Sequence, residues 1–213
     1  TWMTSNNVTF KYNGTDNVIG ISNCSLIIDG NSNKTNATIS EGISQNFTAS
    51  LENSVNYNWS INCTDRLNNG NASQIRIIKV DTTYPSLANE SKNGTNFNVN
   101  SYICLNVSLN DTFSGVKSVN VTINFPLSGL TNRSLSNASG GCGNSGGSIW
   151  AISLQNTEEG NYNWTMTTAE DYAGNINSTF PPAILNWSVV SEVFINTTME
   201  APLADVIVNE SDA

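Results

Sequence analysis

The chain has 213 residues, a formal charge of -9, 12% charged residues and no histidine. So few cations exclude a nucleic-acid interface, which needs clustered Lys and Arg, and leave little to hold an anionic membrane surface. The missing histidine removes the Ser-His-Asp and Cys-His nucleophile systems, and no run of about 18 apolar residues is present to span a bilayer.

Polarity is carried by Asn, Ser and Thr, with roughly one residue in six an Asn. The length suits two domains of about 100 residues each. No signal peptide is visible and Thr1 is not an initiator, so we expect a processed or excised piece of a precursor. In the first unit, residues 1–81, Val8, Phe10 and Tyr12 alternate as a strand and NGTDN makes a turn. Cys24, Leu26 and Ile28 form the next strand, which ends at a turn signal, Asp29-Gly30. Residues 35–40 read as a short polar strand or edge. Phe47, Ala49 and Leu51 follow. In YNWSINCTD, Tyr57, Trp59, Ile61 and Cys63 share the inward parity, and Asn58, Ser60 and Asn62 the outward one. After a turn at NNGN, a last strand runs through Ile75, Ile77 and Lys79 or their alternates.

VDTTYP is the joint, where Pro85 breaks strand pairing. The linker is short, so we expect a restrained orientation between the units. In the second unit, residues 82–190, Ile103, Leu105, Val107 and Leu109 alternate, which turns Cys104 outward. Val119, Val121, Ile123 and Phe125 come next, and residues 128–147 read as one long Ser/Gly/Asn loop. Trp150, Ile152 and Leu154 follow. Tyr162, Trp164 and Met166 in YNWTMTTAEDYAGN repeat the inward face of the first unit. In the last strand Leu185, Trp187 and Val189 share one parity. Short strands with Asn/Gly turns predict an all-β chain of two tandem immunoglobulin-like β-sandwiches, followed by a C-terminal β-strand tail at 191–213.

NCSLIIDG, YNWSINCTD, VDTTYP, DTFSGV and AEDYAGN resemble the tandem immunoglobulin-like or fibronectin-III-like repeats of large archaeal cell-surface proteins. The resemblance covers nearly the whole chain up to Val190. It implies an extracellular structural or adhesive module. The second unit departs from the first by placing Thr167 or Thr168 where the first has Cys63, with its disulfide elsewhere.

Four cysteines, with no CxxC spacing, predict disulfides rather than a metal site. Pairing within each half, Cys24 with Cys63 and Cys104 with Cys142, is the simplest of three connectivities. About twenty Asn-X-Ser/Thr sequons exceed the roughly eight that composition predicts. They include Asn7, Asn36, Asn46, Asn58, Asn62, Asn93, Asn106, Asn120, Asn163, Asn186 and Asn196, and N-linked glycans are expected.

The second unit has YPSLANES and KNGTNF ahead of its first long strand, where the first unit has only TWMTSNN. The opening strand of the first sandwich is therefore expected to be missing. The tail carries Leu203, Val206, Ile207 and Val208 and ends in Asn209-Glu210-Ser211, as Asn89-Glu90-Ser91 ends the segment of the second unit. The expectation is strand donation from this tail to the first unit of the next copy, a homo-oligomeric filament on the cell surface. The alternative is an adhesin or surface-layer stalk that binds carbohydrate or a partner protein. No enzyme is expected and no cofactor, although Asp81, Asp111, Glu170 and Asp171 are oxygen donors of the kind calcium takes. Glu158-Glu159 reads as a turn, not a glycosidase pair. Trp59, Trp150, Trp164 and Trp187 read as core, and Trp2 as a residue near the open groove.

Overall fold

The structure, a computed structural model, describes residues 1–137, 148–181 and 185–191. All regular structure in them is β. The first half holds β1 (Trp2–Met3), β2 (Asn7–Tyr12), β3 (Ile21–Ile28), β4 (Asn31–Asn36), β5 (Gln45–Ser50), β6 (Ser54–Asp65), β7 (Gly70–Ala72) and β8 (Arg76–Val80). The second holds β9 (Ser86–Lys92), β10 (Asn96–Asn98), β11 (Tyr102–Asn110), β12 (Val116–Phe125), β13 (Gly129–Ser134), β14 (Ile149–Gln155), β15 (Gly160–Asp171), β16 (Ile176–Asn177) and β17 (Asn186–Val190).

The two halves repeat one topology. One sheet runs β1-β8-β6-β3-β4, with β7 also on β6. Its counterpart runs β10-β17-β15-β12-β13, with β16 also on β15. The opposing sheets are β2-β5 in the first half and β14-β11-β9 in the second. In both, the opening strand of the larger sheet is parallel to its neighbour: β1 to β8, and β10 to β17.

Period-two alternation builds these layers, because successive side chains point to opposite faces. Val8, Phe10 and Tyr12 of β2 are buried while Asn7, Thr9 and Lys11 are exposed. They meet Phe47 and Ala49 of β5 and, across the sandwich, Cys24, Leu26, Ile28, Ile61, Ile78 and Val80 in one core. The second core gathers Ile103, Leu105, Val107, Val121, Ile123, Tyr162, Trp164 and Trp187. Asp29 and Gly30 both take positive φ, 48° and 79°, as a tight two-residue hairpin between β3 and β4 requires. Each half also ties its Tyr-X-Trp strand to the preceding turn. Tyr57 Oη donates to Glu52 O at 3.1 Å, and Tyr162 Oη donates to Glu158 O at 2.9 Å. That contact is a mark of immunoglobulin-like sandwiches.

The Cys24–Cys63 disulfide forms as expected. It staples neighbouring strands β3 and β6 of one sheet, not the two sheets to each other. Cys104 is disulfide-bonded as well; its expected partner Cys142 lies outside the described residues.

The joint is held from both sides. Asp81 N donates to Met3 O (2.9 Å), and Asn53 Oδ1 accepts from the amide and hydroxyl of Thr82 (3.1 Å each). From the second half, Asn175 Nδ2 donates to Asp81 O and Asn177 Nδ2 to Pro85 O, both at 2.9 Å.

Several sequence expectations are corrected. The last strand of the first half takes the alternate parity that the sequence left open, burying Ile78 and Val80 and leaving Ile75 and Ile77 exposed. Ser60 is buried rather than outward. Cys104 is buried too, although its parity is opposite to the core; a disulfide sulfur has no need of water. The polar strand lies at Asn31–Asn36, not 35–40. The stretch read as one loop begins with β13, which pairs with β12 through a turn at Gly129 (φ 77°). Trp59 is only half-buried, so it is not core in the sense that Trp150, Trp164 and Trp187 are. Among the described residues no strand lies beside β2 opposite β5, whereas on the other sheet Trp2 and Met3 pair with Lys79 and Val80.

Candidate functional site: an uncovered edge on the first sandwich

Strand β2 has β5 on one side. Leu51 N donates to Asn6 O at 2.8 Å. Antiparallel alternation then turns the even residues of β2 toward β5, and Asn7, Thr9 and Lys11 toward the other edge. The Asn7 amide is met locally by Ser5 Oγ at 3.2 Å. The backbone groups of Thr9 and Lys11 have no partner on that side among the described residues. The equivalent strand of the second sandwich, β11, is covered there by β9, from Leu105↔Lys92 to Asn110↔Ser86. Leu87 of β9 and Phe97 of β10 pack against the core that holds Trp164.

Beside the bare edge lies a cleft of about 780 Å³. Lys11 and Tyr12 line it from β2, Trp59 and Ile61 from β6, and Arg76 from β8. Phe10 meets Trp59 edge-on with ring centroids 5.0 Å apart, and the Arg76 guanidinium stands 5.7 Å from the Trp59 ring centre. The mouth is of mixed charge, since Asp16 and Asp65 also line it. Amides of Val18, Gly20 and Ile19 hold the Asp16 carboxyl below its ordinary value, and the Asn69 side chain and amide do the same for Asp65. Trp2 lies along the neighbouring β8, with Lys79 Nζ 5.2 Å from its ring centre. Leu203, Val206, Ile207 and Val208 lie outside the described residues.

A second cluster sits at the joint. Asp81, Asp111 and Asp171 each offer a carboxylate oxygen within 4.8 Å of the others. They come from three places: the linker, the β11–β12 loop and the end of β15. Asp81 and Asp171 are fully buried and Asp111 partly so. Asp81 accepts from Thr83 N (2.9 Å), Thr83 Oγ1 and Ser114 N (2.9 Å). Asp171 accepts from Gly174 N, Asn175 N and Asn175 Nδ2, at 2.6, 2.8 and 2.8 Å. Asp111 accepts from Gly115 N at 2.6 Å through one oxygen; its Oδ2 is buried with no partner. Burial works to raise the Asp81 carboxyl, but its Thr83 and Ser114 donors hold it below the ordinary value. For Asp111, burial first and then the charges of Asp81 and Asp171 push the carboxyl up. Glu170, the fourth acid named from sequence, instead pairs with Lys117 at 2.7 Å. Sequence reasoning missed Ser114 and Asn175, which are ordinary turn residues until the fold brings the linker against them.

Among the sequons, Asn7, Asn46, Asn58, Asn62, Asn93, Asn163 and Asn186 are exposed. Asn36, Asn106 and Asn120 are half-buried, and Asn36 and Asn120 use their amide nitrogens on Gln45 and Thr168, both at 3.0 Å. Asn196 lies outside the described residues. Glu158 is occupied as a turn residue, taking the amides of Leu127 and Ser128. Among the described residues no helix is long and apolar enough to cross a membrane.

The strand order defines the class: an all-β chain of two tandem immunoglobulin-like sandwiches. No protein-family model and no curated protein matches the chain. Among solved structures it is similar to the Clostridium thermocellum CbhA fibronectin(III)-like modules, at 9% identity and a TM-score of 0.38, over 90% of this chain and 87% of that one. It is also similar to an amphioxus IgVJ-C2 molecule, at 11% identity and a TM-score of 0.34, over 84% and 98%. A chimeric titin Z1Z2 tandem follows, at 11% identity and a TM-score of 0.27, over 90% and 94%. At such scores the likeness adds nothing to what the strand order establishes.

Proposed function

We propose that this chain is an extracellular structural subunit that polymerises by strand donation. Residues Leu203–Ser211 of one copy lie along the free edge of β2 in the next. The observation that carries this reading is the contrast between the two-stranded β2-β5 sheet and the three-stranded β14-β11-β9 sheet. A bare edge beside a cleft walled by Trp59 and Ile61 leaves backbone groups and aromatic surface uncovered, which is costly. Within residues 1–213, Ile207-Val208-Asn209-Glu210-Ser211 has the pattern of Leu87-Ala88-Asn89-Glu90-Ser91 in β9. In that alignment Ile207 takes the place of Leu87 and enters the cleft over Trp59, while the backbone pairs with Thr9 and Lys11. The donated strand and its acceptor are different surfaces, so the contact does not close on itself and grows a filament. Glycans on the exposed sequons would keep the remaining surface from unspecific pairing. The half-exposed Trp59 supports one other reading, a surface module that stacks carbohydrate in the same cleft.

The test uses the full chain and a pair of introduced cysteines, Lys11→Cys and Ser211→Cys, in separate copies, since Ser211 takes the place of Ser91, which pairs with the β11 residue equivalent to Lys11. Mixed and oxidised, they are expected to give a linked dimer on a non-reducing gel, and Ile207→Asp is expected to abolish filaments seen by electron microscopy. A protein that stays monomeric at high concentration and forms no link between copies overturns the proposal. Binding of a defined glycan by such a monomer would favour the carbohydrate reading.

A further inference from the structure

We infer that Asp81, Asp111 and Asp171 form a calcium site that locks the joint between the two sandwiches. The first observation is spacing. Calcium holds oxygen ligands at 2.3–2.6 Å, so ligands across one ion stand about 5 Å apart. The three carboxylates, all within 4.8 Å of one another, fit around a single ion. The second is an orphan. Asp111 Oδ2 is shut off from solvent and no donor reaches it, and the hydroxyl oxygen of Ser114 in the same loop is in the same state. A buried carboxylate oxygen without a donor is costly unless something positive faces it. No Lys or Arg does: the single ion pair among the described residues is Lys117–Glu170.

The donor set is all oxygen, with no nitrogen or sulfur, which selects a hard cation. Three carboxylates from three separate segments make an irregular shell, which calcium accepts and magnesium, with its strict octahedron, does not. Every other donor the carboxylates have is a neutral amide or hydroxyl from a turn, so the negative charge itself stays unmatched. A divalent ion would match most of it.

The placement gives the site its consequence. Asp81 follows β8 of the first sandwich, whereas Asp111 and Asp171 belong to the second. An ion shared by them ties the linker to two loops of the second sandwich at once. Removing it returns three like charges to one buried space and loosens that tie. This inference does not depend on strand donation.

The test is calcium alone, added to the full chain after chelation and followed by titration calorimetry and thermal unfolding. One calcium per chain is expected, with a melting temperature that rises with calcium concentration, as binding to the native state requires. Asp111→Asn is expected to weaken calcium binding at least tenfold. It is also expected to match or exceed the chelated wild type in melting temperature, because it removes one of the three like charges. Glu170→Gln, outside the cluster, is expected to keep the full calcium response. A wild type indifferent to millimolar calcium, or an Asp111→Asn variant with an unchanged response, overturns the inference.

Discussion

Trp59 and Trp164 sit in the same three-residue string, Tyr-Asn-Trp, on corresponding strands of two sandwiches with one topology. Trp164 is completely buried and Tyr162 with it. Trp59 and Tyr57 are half-buried, and Trp59 forms the wall of a cleft. The string itself decides the strand and the parity of its side chains. Burial is decided elsewhere, by whether a strand lies beside β2 as β9 lies beside β11. Two identical stretches thus come to different surroundings: one is core, the other forms the wall of an open cleft.

The sharpest way to break this comparison is to truncate both tryptophans. Trp164→Ala is expected to cost about 3–5 kcal/mol, the range for a large aromatic removed from a packed core. Trp59→Ala in the unassembled protein is expected to cost about 1 kcal/mol, in keeping with a side chain that has given up only part of its hydration. Urea midpoints of the two variants measure the difference. Equal costs would mean that the cleft is already filled.

Removing the Cys24–Cys63 bridge by paired Ser substitutions should cost about 3–4 kcal/mol, because it closes a loop of 39 residues. The loss should fall on the first sandwich, whose smaller sheet has two strands among the described residues where that of the second has three. Calorimetry that resolves two unfolding steps is expected to show the earlier one shifting.

A smaller difference separates the two tyrosines. Tyr162→Phe is expected to cost about 1–1.5 kcal/mol, since its hydroxyl is shielded and also receives the Glu158 amide at 2.9 Å. Tyr57→Phe loses a solvent-exposed bond, and its cost should stay under about 0.5 kcal/mol.

The smallest effect is one of pH, and it concerns the joint between the two halves. The raised carboxyl of Asp111 binds its proton more tightly in the folded chain than in the unfolded one. In chelator, that group's contribution therefore grows as pH falls from neutrality through its raised value and is complete below the ordinary 3.8. Asp81, held below 3.8, works the other way: its contribution is present above 3.8 and is lost only as pH falls through its depressed value. Asp111→Asn should remove the upper part of this profile and leave the lower part, as read from melting temperatures across pH.

Much of the fold is legible in the sequence wherever apolar residues alternate, as in Val8-Phe10-Tyr12 and Val119-Val121-Ile123-Phe125. Such a pattern has one solution as a half-buried strand. Alternation fails where burial is set by neighbours far along the chain. Cys104 has outward parity yet is buried, and Trp59 has inward parity yet is half-open. Strand β13 was hidden because Gly, Thr, Asn and Arg carry no pattern of their own and pair only because β12 is there to receive them. The acidic cluster was half legible. Four acids could be named from their side-chain chemistry, but which three converge depends on how the linker lies against two turns, and no local spacing encodes that.

The parallel pairs β1/β8 and β10/β17 bear on how the molecule responds to tension. When a pull is applied from the start of one strand to the end of its parallel neighbour, the two are dragged lengthwise past each other. Every rung between them is then loaded at the same moment, and none can be peeled before the rest. Trp2-Met3 against Lys79-Val80, and Asn96–Asn98 against Ser188-Val189-Val190, place such a shear-resistant clasp in each sandwich.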